Sequence, residues 1–372
     1  MEFKKTTGNV ALVFGASGIS GWALMRECLN YPSTKVFMRV IGLCKRPLAK
    51  EIARLPEDPR LEMHTGLDLT NTELALRRLA VIADVAAVTH VYFVTYTGHG
   101  TTPENLVDVN SVIVDNALKA VNVLCPNISF VSLQTGGKGY GMVRHGWPPA
   151  PWKETLPRML EPYASKIFYY TQHDVVARHA AASSWEWLEI RPSFLPGFVP
   201  QFNAMNVAQS LGLYLSFYRS AKGDRAICPF PGSQESWVAL HTDSFKDVVA
   251  RFHIHVSLHP EGTNGRALSV GDGEPVSWQM KWPLVCNYFG LEGVGPQERA
   301  TDQAYGIEWL MAQKDSWPVW VAAHGLQPSA MDDVQWDILA TTLATPIRID
   351  FDLMASREIG LVRHRSLGKA TL

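Results

Sequence analysis

Short runs of β-branched and apolar residues alternate with longer amphipathic stretches through the first two-thirds of the chain. The strand-like runs are 10–14, 36–43, 61–64, 90–95, 128–133 and 187–191. Helix-like patterns fill 19–29, 72–80, 103–121 and 162–181. Strand-then-helix repetition predicts βαβ units, and hence an α/β fold built on a doubly wound parallel sheet. Right-handed crossovers in such a sheet place ligands beyond the carboxyl ends of the strands. After about residue 200 the rhythm changes. Helical patterns at 242–256 and 278–289 dominate, and seven of the twelve tryptophans lie from Trp237 onward. The expected organisation is a dinucleotide-sized α/β domain over 1–200 and a smaller, mostly helical substrate lobe over 201–372, with segments that interleave with the sheet.

The 372 residues are 47% hydrophobic and 19% charged, enough for a substantial core and far from a disordered composition. Thirty-four Lys and Arg against thirty-five Asp and Glu leave a net charge of −1, which argues against a nucleic-acid partner. No apolar run reaches the roughly 18–20 residues of a membrane span, and the first apolar run, 10–14, is too short for the apolar region expected of a signal segment. Five scattered cysteines form no CxxC pair, which fits a reduced compartment without a disulfide framework or zinc site. His253 and His255 lie two apart on an expected helix and face different ways, so packing is favoured over a metal. A cytoplasmic protein acting on a small hydrophobic molecule, as a monomer or homodimer, is the expectation.

Chemistry enters at the end of the first strand. Gly15-Ala-Ser17-Gly18-Ile19-Ser-Gly21 follows an apolar run and opens a helix pattern. Such glycines let the backbone approach a pyrophosphate, whose charge the helix N-terminus stabilises. The alternative is a plain tight turn, but the flanking strand and helix point to a Rossmann-type site. The second strand ends in Cys44-Lys45-Arg46, with no acid to receive a ribose hydroxyl. Two cations there suit a 2′-phosphate, so NADPH is the expected cofactor. Asp68-Leu69 after the third strand, Thr95-Tyr96 after the fourth and Gln134 at the end of the fifth should border the same cofactor.

Tyr and Lys four apart on one helix, the usual short-chain dehydrogenase pair, are missing. Tyr163 and Lys166 are one residue too close, though still roughly on one face. On the helix expected from residue 162, His173 takes the place of that lysine relative to Tyr169. A cation must then come from elsewhere, and the glycine-rich loop Gln134-Thr-Gly-Gly-Lys138 after the fifth strand could bring one, unless Lys138 is only a solvated surface charge.

The run Ser132-Leu-Gln134-Thr-Gly-Gly-Lys138-Gly-Tyr140, with Phe168-Tyr169-Tyr170 some 30 residues on, resembles the progesterone 5β-reductase/iridoid synthase group of atypical short-chain dehydrogenase/reductases. The resemblance covers most of the chain, including Leu156-Pro-Arg158, Arg191-Pro192 and the stretch from Pro318 to His324-Gly-Leu. It implies NADPH, 1,4-reduction of enones and enals, a displaced catalytic lysine matching Lys138 and a tyrosine matching Tyr169. Two departures stand out. Gly139-Tyr140 replaces a common His-Tyr, and Ser193-Phe194 replaces a common Gly-Asn, so Tyr140 and Phe194 are expected in the substrate pocket, as is the segment 140–152. Ordinary carbonyl reduction, a redox-neutral isomerase or cyclase, and a non-catalytic dinucleotide sensor are the rival readings.

Overall fold

Alternation in the first strand sets the layers. In β1 (Asn9–Phe14), Val10, Leu12 and Phe14 enter one apolar cluster while Ala11 and Val13 enter another, so both faces of the sheet are buried. The computed structural model describes residues 8–98, 105–141, 148–203, 206–297 and 305–360. Part of the expected pocket segment 140–152 lies outside them.

The N-terminal half runs β1, α1 (Ile19–Asn30), β2 (Phe37–Leu43), α2 (Lys50–Ala53), β3 (Leu61–His64), α3 (Thr72–Ala80), β4 (His90–Phe93) and α4 (Leu106–Leu124). It continues with β5 (Phe130–Gln134), α5 (Phe168–Ala181) and β6 (Glu186–Pro192). Then follow α6 (Val207–Lys222), β7 (Ile227–Pro229), α7 (Gln234–Val238), α8 (Lys246–Leu258), β8 (Ala267–Val270), α9 (Trp278–Tyr288) and β9 (Glu292–Val294). The short helices α10 (Gly306–Ala312), α11 (Trp317–Ala323), α12 (Trp336–Ala344) and α13 (Met354–Glu358) complete the order.

Seven parallel strands form one sheet in the order β3-β2-β1-β4-β5-β6-β8. Helices α3, α4 and α5 cover one face through Leu79, Val114 and Val176; α1 and α8 cover the other through Leu24 and Ile254. The order reverses between β1 and β4, which opens a crevice at their carboxyl ends where the glycine loop lies.

The helical lobe has its own core, into which Trp237, Trp278, Trp282, Trp309, Trp317, Trp320 and Trp336 are all built. It does not follow the α/β domain as a separate bead. After α6, β7 and α7 the chain returns to the sheet, where α8 packs on α1 and β8 pairs with β6, before re-entering the lobe at α9. Among the described residues no helix is long and apolar enough to cross a membrane.

Candidate active site

The glycine loop is shaped by contacts that only glycine permits. Gly15 has φ +90°, and a Cβ there would lie 3.0 Å from the backbone of Thr95 at the end of β4. A Cβ on Gly21 would run into the Gly15 carbonyl, so the first turn of α1 sits directly on the loop. The amides of Gly15 and Ala16 donate to Leu43 O at 2.9 and 3.0 Å, which pins the loop between β1 and β2. Helix α1 begins at Gly18 with no side-chain cap and no acid in its first turn. Its N-terminal amides and dipole are therefore offered to an anion, and these residues fit a dinucleotide pyrophosphate. The Ser17 hydroxyl lies against the Cys44 thiol. Ile19 is buried between sheet and α8, so it serves this site through its backbone.

At the adjoining strand ends, Lys45 Nζ pairs with Asp68 Oδ2 at 2.7 Å. That bond from Lys45, with two from Thr70, holds the Asp68 carboxyl down at about 2. Arg46 is exposed and has no acidic partner among the described residues. Leu69 differs from expectation: its side chain is sunk in the core beside α3 and α4, and only its carbonyl is engaged, by Asn116 Nδ2. Gln134 differs too. Its amide donates to Ser20 Oγ at 2.9 Å and its carbonyl meets His253 Nε2 at 3.2 Å, so it braces α1 against α8 instead of standing free for a cofactor. Ser132 likewise bonds His253 Nδ1, at 2.7 Å. His255 reaches Ile359 O, and no metal-binding cluster of His, Cys, Asp or Glu occurs among the described residues.

The aromatic side of the crevice is a continuous run. Tyr96 stacks on Phe168 at 5.6 Å, and Phe168 meets Tyr169 edge-on at 4.5 Å. The loop after β4 that carries Tyr96 is fixed by buried Asn110, whose side chain accepts from Thr97 N and donates to Thr97 O.

Helix α5 starts at Phe168, later than the pattern predicts. Residues 164–166 form a separate 3₁₀ turn, so Tyr163 and exposed Lys166 are not on the helix at all. Tyr169 lies in the first helical turn and faces the loop after β5, where a Cβ on Gly136 would sit 3.4 Å from its hydroxyl. Among the described residues that hydroxyl has no hydrogen-bond partner. Desolvation, with Tyr96 and Glu189 nearby, raises its pKa well above the ordinary phenol value. Two residues beyond Gly136 on the same loop is Lys138. Its side chain is largely exposed, yet enough protein surrounds the ammonium that desolvation lowers its pKa. Tyr170, about 100° round the helix, is buried and accepts from Met159 N at 3.0 Å under the Arg158 guanidinium.

Tyr140 does not line an opening as expected. It is 1% exposed, bonds Ser269 Oγ, and packs with Trp152 and Phe351. Phe194 is half-buried at the end of β6, its ring 5.7 Å from His241, and it joins the helical lobe's core to that aromatic cluster.

Sequence reasoning passed over Glu189. This carboxylate is 0% exposed in the middle of β6 and gathers Thr135 Oγ1 at 2.5 Å, His173 Nδ1 at 2.6 Å and Arg191 Nε at 2.8 Å. Burial alone would raise its pKa, but the Arg191 charge and the bonds from His173 and Arg191 bring it down to about 2. A glutamate and an arginine two apart, and so on one face of a strand flanked on both sides by others, were the available signal.

A glycine loop at the switch point of a parallel sheet, with a tyrosine facing the loop after β5 at its carboxyl edge, defines an enzyme of the short-chain dehydrogenase/reductase superfamily, an oxidoreductase class. Residues 11–347 match the family described as PRISE-like Rossmann-fold domain, and the chain belongs to that family. It is 34% identical to the short chain dehydrogenase ausT of Aspergillus calidoustus, over 90% of this chain and 84% of that one. It is 29% identical to the (S)-8-oxocitronellyl enol synthase ISY2 of Nepeta racemosa, over 96% and 87%. The UDP-glucose 4-epimerase of Thermus thermophilus, solved with NAD, superposes with a TM-score of 0.52 over 90% of this chain and 98% of that one, at 16% identity, a likeness of fold.

Proposed function

We propose that the protein is an NADPH-dependent reductase that adds hydride to the β-carbon of an α,β-unsaturated carbonyl compound in secondary metabolism. The observation that carries this reading is the unpartnered Tyr169 hydroxyl facing the Lys138 loop at the ligand edge of the sheet. Bound along the glycine loop, the nicotinamide would supply the hydride. As the β-carbon accepts that pair, the C=C π electrons move to the carbonyl and negative charge builds on its oxygen. A phenol whose pKa is raised stays protonated near neutrality, so Tyr169 acts as a donor to that oxygen and not as a base. Lys138 adds positive charge from the facing loop. The enolate collapses as its α-carbon takes a proton from water, and a saturated carbonyl leaves.

The relatives support this choice, since one is named for an enol product and another is a short chain dehydrogenase. Lys45 and Arg46 at the end of β2 support the phosphorylated cofactor. The test is incubation of purified protein with NADPH or NADH and a panel of enals, enones, saturated ketones and aldehydes. Loss of nicotinamide absorbance with a saturated carbonyl product is expected. Alcohol products would make the protein a carbonyl reductase instead, and conversion without cofactor oxidation would make it a cyclase or isomerase.

A further inference from the structure

The position that holds a lysine in the usual catalytic helix is occupied by His173, and His173 is committed to a buried anion. Glu189 reaches in two directions from β6. Through His173 it holds α5 one turn below Tyr169. Through Thr135 Oγ1 it holds the start of the Lys138 loop, whose backbone is also tied by Thr135 N to Ile190 O at 2.9 Å. Its third partner, Arg191, supports the far end of the same loop. A Cβ on Gly139 would meet the Arg191 guanidinium at 3.0 Å, and that guanidinium lies 4.8 Å over the Tyr140 ring. A side chain at 139 would therefore press on that guanidinium, so the loop backbone and Arg191 are closely packed there.

We infer that Glu189 is the positioning residue of this site. A single buried carboxylate clamps the helix carrying Tyr169 and the loop carrying Lys138 in one register. A carboxylate within the sheet is costly to bury even with three donors, and all three donors belong to the two elements that deliver the site or to the cation beneath them. The inference rests on the reductase reading only for its activity readout.

Thr135→Val removes one arm of the clamp with almost no change of volume and leaves Glu189 its other partners. It should lower kcat roughly 10- to 100-fold by misplacing the loop, with KM, nucleotide affinity and melting temperature unchanged. Thr135→Ser should restore kcat. A second readout needs no substrate: the Tyr169 resonance of protein labelled with ¹³C-tyrosine, assigned by Tyr169→Phe. At neutral pH that resonance should move in Thr135→Val, which shifts the loop facing the ring, and return in Thr135→Ser. If no substrate in the panel turns over, the reductase reading fails while this chemical shift still decides the clamp. An unmoved Tyr169 resonance in folded Thr135→Val, or a Thr135→Val enzyme with wild-type kcat, would overturn the positioning role. So would a kcat loss that Thr135→Ser fails to restore.

Discussion

Two adjacent tyrosines should separate chemistry from stability. Tyr169→Phe keeps the ring that meets Phe168 at 4.5 Å and deletes a hydroxyl with no protein partner among the described residues. No hydrogen bond is broken in the fold, so stability should change by no more than about 0.5 kcal/mol. Turnover should fall by about 10²–10³, the usual loss for one donor to a developing oxyanion, or about 2.7–4 kcal/mol. Tyr170→Phe is the mirror case. It strands the Met159 amide that its hydroxyl now receives at 3.0 Å, in a buried setting. That should cost about 1–3 kcal/mol of stability and leave turnover nearly intact. Steady-state oxidation of NADPH and a thermal melt on both variants make the comparison. A Tyr170→Phe enzyme crippled in turnover at normal stability, beside a healthy Tyr169→Phe, would refute the assignment of the catalytic face of α5.

Lys138→Met should lower turnover with an unchanged melt, since the lysine side chain is largely exposed, whereas Lys166→Met should be silent; kcat for the two variants checks this. Neutralising Lys45 and Arg46 together should weaken NADPH binding by roughly 1–3 kcal/mol per charge-assisted contact and leave NADH nearly unaffected, as titration calorimetry would read. Acid should destabilise the fold early. Burial lowers the pKa of His90 and His241 from 6.5 to about 4 and that of His253 to about 3. Below pH 6.5 the unfolded chain therefore binds protons that the native chain refuses, and stability falls with pH from there to about 4. Melting temperatures across that window should drop steadily, and a flat profile would count against three neutral buried histidines.

Local chemistry was the legible part of this chain. The glycine loop announces itself because strand, turn and helix start are contiguous, and the basic end of β2 is read from two side chains in a row. Tyr169 and Lys138 were legible from motif and loop position. Where α5 begins was not, because a 3₁₀ turn at 164–166 satisfies the same apolar spacing as a helical start. Strand β8 is four residues long, and its place is set by pairing with β6 and not by any alternation of its own. Gln134 and Leu69 were expected at the cofactor because they stand beside other residues expected there. Side chains at a strand end choose between crevice and interior by packing, which no spacing records. Glu189 was visible, but its three partners come from the loop after β5, from α5 and from β6, and only the assembled sheet brings them together.

The aromatic cluster under the Lys138 loop has a consequence for the order in which the molecule can be made. Tyr140 rests on Phe351 at 5.4 Å, and Trp152 exchanges backbone hydrogen bonds with Asp350 and Asp352. The stretch that leads out of the catalytic loop is thus seated on chain that follows α12, near the far end of the sequence. A growing polypeptide could complete β1 to β6 and α1 to α5 during synthesis and still lack the floor on which Tyr140 rests. The glycine loop, pinned between β1 and β2, can thus take shape early in synthesis, whereas the Lys138 loop is seated only once the chain beyond α12 has been added.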